Sequence, residues 1–93
     1  MGLQERYLKL TGEVMPKLAS KHGWPIRFDH CFQRVVLDNV FQDEWYGHVD
    51  SPAYKNLSEK EMRKAVEISE LLLENPSLMA KYNRNSLKFR GKI

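Results

Sequence analysis

The chain has little cysteine, glycine or proline, and it has no long apolar run. Its 93 residues include one cysteine, five glycines and four prolines. A single thiol cannot form an internal disulfide, which excludes a disulfide-stabilised secreted scaffold and fits a reducing compartment. No stretch approaches the roughly 20 apolar residues that cross a bilayer, and residues 1–7 lack the apolar core of a secretion signal. We therefore expect a cytoplasmic protein with no membrane partner.

The sequence also lacks the patterns of β-structure and of common metal or cofactor sites. No segment alternates apolar and polar residues over the length of a strand, and no Asn-Gly hairpin signal is present. Cys-x-x-Cys, His-Glu-x-x-His and calcium-loop spacings are all missing. The sequence therefore predicts no metal and no cofactor.

Apolar residues instead recur at the helical period in four segments. These segments are residues 3–21, 29–47, 58–75 and 76–91. The sequence therefore predicts an all-α fold, a compact bundle of about four helices in one domain over residues 1–93.

Local residues mark the irregularities and ends of these helices. Pro16 has no amide N–H to donate to the carbonyl of Gly12, so we expect the first helix to kink or break briefly near that point. Asp29 is predicted to be the N-cap of the second helix, with Gly47 at its exit. Ser58–Glu61 has the spacing of a capping box, which predicts the start of the third helix.

Charge is distributed unevenly along the chain. The net charge is +3, but residues 76–93 contain five lysines and arginines and no acidic residue. One face of the last helix could therefore meet a phosphate-rich or acidic partner, or it could be neutralised by the acidic segment 29–50. The candidate partner-binding residues on this helix are Lys81, Arg84, Asn85, Lys88 and Arg90.

Three polar residues interrupt the otherwise apolar second helix. Arg34 and Asp38 lie four residues apart, and we predict a fixed ion pair that orients the loop around Trp24 or Tyr54. Asn39 falls on the apolar arc, where an unpaired amide would cost about 1–3 kcal/mol. It is therefore expected either to hydrogen-bond the backbone of a neighbouring loop or to line the bottom of a pocket. Together Arg34, Asp38 and Asn39 form a candidate buried polar cluster.

A catalytic interpretation would use Cys31 with His30 or His48 as the base. Cys31 lies in the first turn of a predicted helix, where amide dipoles lower a thiol pKa. However, sequence neighbours on a helix point about 100° apart, which is poor geometry for a Cys31–His30 pair. A metal site would have to gather residues with no ligand spacing, namely His22, His30, Cys31, Asp43, Glu44 and His48. We assign no catalytic residue and no metal ligand.

Three segments carry a family resemblance: His30–Val40, Pro52–Tyr54 and Asn83–Gly91. Over nearly its whole length the chain resembles a family of small, uncharacterised bacterial proteins. Some members of that family carry an acetyltransferase label. The chain has no Gln/Arg-x-x-Gly-x-Gly/Ala loop to hold an acyl-cofactor pyrophosphate, so the resemblance implies a family and no catalytic residue.

The leading interpretation is a small non-catalytic helical module that binds another protein or serves an accessory role. The alternative is nucleic-acid binding through the basic last helix. The third is a small enzyme that uses Cys31, His30 or His48. The sequence does not specify an oligomeric state.

Overall fold

A computed structural model of the chain describes residues 2–93, and every regular element in that range is helical. The elements are α1 (Leu3–Lys9), a π-helical segment (Leu10–Val14), α2 (Met15–His22), α3 (Asp29–Phe41), a 3-10 turn (Trp45–Gly47), α4 (Ala53–Asn56), α5 (Glu59–Glu74) and α6 (Leu78–Phe89). The predicted all-α fold is confirmed. The radius of gyration, 12.1 Å, matches the roughly 12 Å of a compact chain of this length. Across residues 2–93, each helix is either too short or too polar to traverse a bilayer.

The first helix continues past Pro16, with one widened turn in place of the expected kink or break. The amide of Met15 donates to the carbonyl of Leu10, five residues earlier, at the end of the π segment. This segment contains Gly12, whose carbonyl would have faced the missing N–H of Pro16. The predicted irregularity is thus present as a π turn, which joins α1 directly to α2.

The predicted exit of the second helix at Gly47 is wrong, because α3 ends at Phe41. Gln42 takes a left-handed conformation with φ 54°, and the amide of Asp43 then donates to the carbonyl of Asp38 at 3.2 Å. This is the hydrogen bond of a Schellman-type helix end. Trp45 is therefore carried on a separate 3-10 turn.

Two predicted helix starts are also displaced. Asp29 is the first residue of α3, and its N-cap is Phe28. The carboxylate of Asp29 accepts from the amide of His30 at 2.7 Å. Helix α6 begins at Leu78, beyond the predicted Pro76, since the amide of Leu78 first closes a turn to the carbonyl of Asn75.

The predicted capping box at the start of α5 is confirmed. The amide of Glu61 donates to the Ser58 hydroxyl at 3.1 Å, and the Ser58 amide donates to the Glu61 carboxylate at 2.8 Å. Two N-terminal amides that have no helical partner are satisfied in this way.

Helix α3 lies at the centre of the fold, packed against α5, α6 and the π segment. Its apolar side chains Phe32, Val35, Val36 and Leu37 are all buried. Trp24, from the connector between α2 and α3, packs edge-on against Phe32 with ring centroids 5.6 Å apart. This arrangement leaves the polar side of α3 facing α6 and the loop that follows α3.

Candidate functional site

Asp38 is the centre of a buried polar network between α3 and α6. Its carboxylate is 0 % exposed and receives two hydrogen bonds from Arg90, at 2.6 and 3.1 Å. The Ser86 hydroxyl donates to the same carboxylate at 2.6 Å, and the backbone amide of Trp45 donates at 3.1 Å. The hydrogen bond to Asp38 also raises the pKa of Arg90 above its ordinary value.

The predicted direct ion pair between Arg34 and Asp38 is wrong, because Arg90 occupies both oxygens of Asp38. Arg34 instead donates to the Ser86 hydroxyl at 2.7 Å and to the Asn83 side-chain oxygen at 2.8 Å. No carboxylate within residues 2–93 forms an ion pair with Arg34. The network therefore contains two guanidinium groups and one carboxylate, which leaves one positive charge in excess.

Asn39 makes structural hydrogen bonds to backbone carbonyls, as one expectation had it, but these carbonyls belong to helices α3 and α6 and not to a loop. Its side-chain amide donates to the carbonyls of Val35 at 2.7 Å and Tyr82 at 3.0 Å, and its oxygen accepts from Asn85 at 3.3 Å. Asn39 also lines a groove of about 670 Å³ between α5 and α6, together with Lys81 and Asn85. The side-chain amides of Asn39 and Asn85 at this groove already have protein partners.

A smaller recess of about 260 Å³ lies between α1, α3 and the loop that follows α3. We call it the Tyr7 recess. Its principal lining residues are Tyr7 from α1, His30 and Arg34 from α3, Trp45 and Tyr46 from the 3-10 turn, and Tyr54 from α4. The remaining lining residues are Gln33, Leu37, Ser51, Pro52 and Ala53. The recess thus combines four large aromatic side chains with one guanidinium that has no carboxylate partner.

The polar network fixes one wall of this recess. Asp38 holds the amide of Trp45, and the Arg90 guanidinium lies 5.0 Å from the ring centroid of Tyr46. The ring centroids of Trp45 and Tyr46 are 4.1 Å apart. Asp38 therefore orients the loop that carries Trp45, with Arg90 as the assisting cation, and the predicted role around Trp24 or Tyr54 was wrong.

Tyr7 contributes a hydroxyl with no hydrogen-bond partner among residues 2–93. The residue is only 1 % exposed, and burial raises its pKa well above the ordinary value. Every fully buried side-chain nitrogen or oxygen in the described chain has a partner. The Tyr7 oxygen must therefore retain some exposure, and Tyr7 lines the recess.

Exposed aromatic side chains adjoin the recess. Tyr46 is 60 % exposed and Phe28 is 65 % exposed. The Phe28 ring stacks on His30, with centroids 5.8 Å apart and an angle of 5° between the ring planes. Because His30 lines the recess, an aromatic surface extends from Phe28 to its mouth. We call Phe28, His30 and Tyr46 the aromatic rim.

The five predicted partner-binding residues of the last helix fall into two groups, three that are exposed and two that are bonded within the fold. Lys81, Arg84 and Lys88 are exposed, and none of them forms an ion pair within residues 2–93. Asn85 is bonded to Asn39, and Arg90 is bonded to Asp38. Three unpaired cations therefore remain available on α6.

The structure does not bring the proposed catalytic residues together. The Cys31 thiol is half-buried and forms no hydrogen bond to His30 or His48 in the described part of the chain. His48 lies 3.1 Å from the Asp43 carboxylate, whose pKa it lowers. No group of three or more His, Cys, Asp or Glu side chains between residues 2 and 93 is placed to hold a metal ion.

Comparison of the chain with protein-family models, curated proteins and solved structures gave no match. The resemblance to a bacterial family therefore stays a prediction, and the site has to be interpreted from its own geometry.

Removal of two buried hydroxyls should have different effects on the free energy of unfolding. Tyr7→Phe removes a hydroxyl with no protein partner, so we expect the free energy of unfolding to change by less than about 0.5 kcal/mol or to rise slightly. Ser86→Ala removes a hydroxyl bonded to both Arg34 and Asp38, and should cost about 2–3 kcal/mol. Urea denaturation of both variants tests this contrast. A loss above about 1 kcal/mol for Tyr7→Phe would mean that the hydroxyl has a structural partner.

Proposed function

We propose that the protein is a non-catalytic helical module that binds a protein partner at the Tyr7 recess and its aromatic rim. The observation that supports this proposal most strongly is the proximity of a narrow aromatic recess to two large, exposed rings. Trp, Tyr and Arg are the residue types enriched among those that dominate protein–protein binding energy. The recess and rim bring together Arg34, Trp45, Tyr46 and Tyr54.

The rigidity of the recess wall also supports a binding role. Asp38 and Arg90 hold the turn that carries Trp45 and Tyr46 before any partner arrives. A preformed surface loses less side-chain freedom on association, since each immobilised flexible side chain costs about 0.5–1.5 kcal/mol. An inserting side chain would therefore meet a wall that is already ordered.

Selection of binders from a display library of random peptides tests the proposal. We expect the wild-type protein to enrich a related set of peptides, and the double variant Phe28→Ala/Tyr46→Ala to bind them at least about tenfold more weakly, a loss of 1.4 kcal/mol or more. Ile93→Ala is the matched control, because Ile93 is 66 % exposed and does not line the recess. Selected peptides that bind the double variant and the wild type equally would contradict a partner site at the rim.

A second candidate function is nucleic-acid binding by α6, which the three unpaired cations favour. Their charges could contact phosphates without competition from an internal carboxylate. For three phosphate contacts, the logarithm of the duplex-binding constant should fall against the logarithm of salt concentration with a slope of about −2.7.

Charge reversal decides on this second candidate. Lys81→Glu/Arg84→Glu/Lys88→Glu should abolish duplex binding. The matched control is Lys9→Glu/Lys17→Glu/Lys21→Glu, which makes the same change in net charge at exposed positions of the first helix. Fluorescence anisotropy at several salt concentrations measures both. Equal losses in the two triple variants would indicate a general charge effect and would reject a site on α6.

A further inference from the structure

We infer that the Tyr7 recess receives a carboxylate from an acidic segment of the partner, held by the Arg34 guanidinium and the Tyr7 hydroxyl. This inference rests on the proposed function and names the chemistry of the group that inserts. It is carried by two polar groups of the recess whose hydrogen-bonding capacity is not used within the described chain.

Arg34 has both unused donors and uncompensated charge. A guanidinium carries five N–H donors, and Arg34 makes two hydrogen bonds, to Ser86 and Asn83. Both acceptors are neutral. The nearby Asp38 carboxylate is already bonded by Arg90, through two hydrogen bonds. A carboxylate in the recess would therefore supply the counter-charge that the network lacks.

Tyr7 provides the second group. Its ring is buried among apolar side chains at 1 % exposure, whereas its hydroxyl has no partner in residues 2–93. An O–H donor and a guanidinium that line the same recess suit an anion that accepts from both, and hydrogen bonds to an ionised acceptor are roughly twice as strong as neutral ones. A neutral amide in the same place would lose this advantage.

The size of the recess restricts what can enter it. Its volume of about 260 Å³ lies below the roughly 300–1,000 Å³ of sites for drug-sized ligands. A recess of this volume can hold a single side chain. The aromatic walls formed by Trp45 and Tyr54 favour an apolar body behind the carboxylate, such as that of an acidic residue next to an aromatic one.

Phenylacetate and phenylacetamide are suitable probes, because they share a ring and differ in the charge of the head group. Isothermal titration of the wild-type protein should show phenylacetate binding at least about tenfold more tightly than phenylacetamide. Tyr7→Phe should weaken phenylacetate binding by about fivefold or more without lowering the melting temperature. Ile93→Ala, which is exposed and lies outside both the recess and its rim, should leave phenylacetate binding unchanged.

Inorganic phosphate is the third probe, and it tests whether the recess selects carboxylate in particular. We expect phosphate to compete with phenylacetate only weakly, since phosphate has no apolar body to contact the aromatic walls. Phosphate that binds more tightly than phenylacetate would overturn the inference and assign the recess to phosphorylated ligands.

The remaining outcomes separate this inference from the function on which it rests. Equal binding of phenylacetate and phenylacetamide, or unchanged phenylacetate binding by Tyr7→Phe, would overturn the carboxylate inference. The proposed function would still stand if the selected peptides required Phe28 and Tyr46. Peptides that require the rim and carry a recurrent Asp or Glu support both proposals together. If neither small probe binds, the carboxylate inference is rejected, and the peptide selection alone decides on the partner site.

Discussion

Replacing Asp38 with alanine should lower the free energy of unfolding by about 3–5 kcal/mol. The change removes the only ion-pair partner of Arg90 within residues 2–93, and the Arg90 side chain is only 14 % exposed. It also leaves the Ser86 hydroxyl and the Trp45 amide without their acceptor. A domain of this length is typically stable by about 5–14 kcal/mol. The variant should therefore lose a substantial share of the domain's stability.

The matched control for Asp38→Ala is Asp43→Ala. Asp43 is an acidic residue in the same part of the chain, but its side chain is 59 % exposed and pairs only with His48. Exposed ion pairs contribute little to stability because solvent screens them, so this variant should stay close to the wild type. Urea denaturation followed by far-ultraviolet circular dichroism measures both. A loss below about 1 kcal/mol for Asp38→Ala would show that the buried network is dispensable.

Replacing Trp24 with alanine should also cost about 3–5 kcal/mol. Trp24 is 6 % exposed and packs against Phe32, and its indole N–H donates to the carbonyl of Pro76 at 2.9 Å. The residue therefore fills the core and also ties the connector before α3 to the turn before α6. Truncation removes both contacts and leaves a cavity.

The variant Trp24→Phe separates these two contributions. It keeps an aromatic ring against Phe32 but cannot donate to Pro76, so it should cost about 1–2 kcal/mol, part from the lost hydrogen bond and part from the smaller ring. The midpoint of thermal unfolding ranks the three proteins. Equal losses in the alanine and phenylalanine variants would assign the whole effect to the hydrogen bond, against the packing argument.

Signals confined to neighbouring residues predicted most of the fold. The helical period marks all four long helical segments, and the Ser58 and Glu61 pair is a contact three residues apart that spacing alone identifies. Gly23, the residue that ends α2, takes the left-handed conformation with φ 63° that glycine favours. These features depend on residues within a turn of each other.

The end of α3 could not be read in the same way, because it depends on a contact outside the helix. The apolar period continues through Trp45 and favours a longer helix. The Asp38 side chain instead captures the amide of Trp45, and Gln42 takes the left-handed conformation without being glycine. Helix propensity does not predict that a buried side chain will hydrogen-bond the backbone of the following turn.

The hydrogen-bond acceptor of Arg90 could not be predicted from the sequence for a related reason. The spacing of Lys81, Arg84 and Lys88 places them on one helix face, and Arg90 extends the same basic run. Its acceptor lies 52 residues away in sequence, and no local pattern indicates such a pair. The predicted basic face therefore consists of three exposed cations, whereas Arg90 is bonded to a buried carboxylate.

The Tyr7 recess was missed because Tyr7 belongs to the apolar stripe of the first helix and reads as a core residue. Its ring is indeed in the core. The recess exists because the 3-10 turn and α4 place Trp45 and Tyr54 beside that ring. A buried tyrosine whose hydroxyl has no internal partner can be recognised only after the neighbouring elements are assembled.

The measurement that tests the central claim most directly is an amide chemical-shift titration of the ¹⁵N-labelled protein with a display-selected peptide. Binding at the recess predicts that the largest shifts cluster on Arg34, Trp45, Tyr46 and Tyr54, with the Trp45 indole N–H among them. The same peptide should bind the Tyr7→Phe variant about fivefold or more weakly if it carries the expected carboxylate. Shifts that cluster instead on Lys81, Arg84 and Lys88, with the recess unaffected, would contradict the account and place the partner on α6.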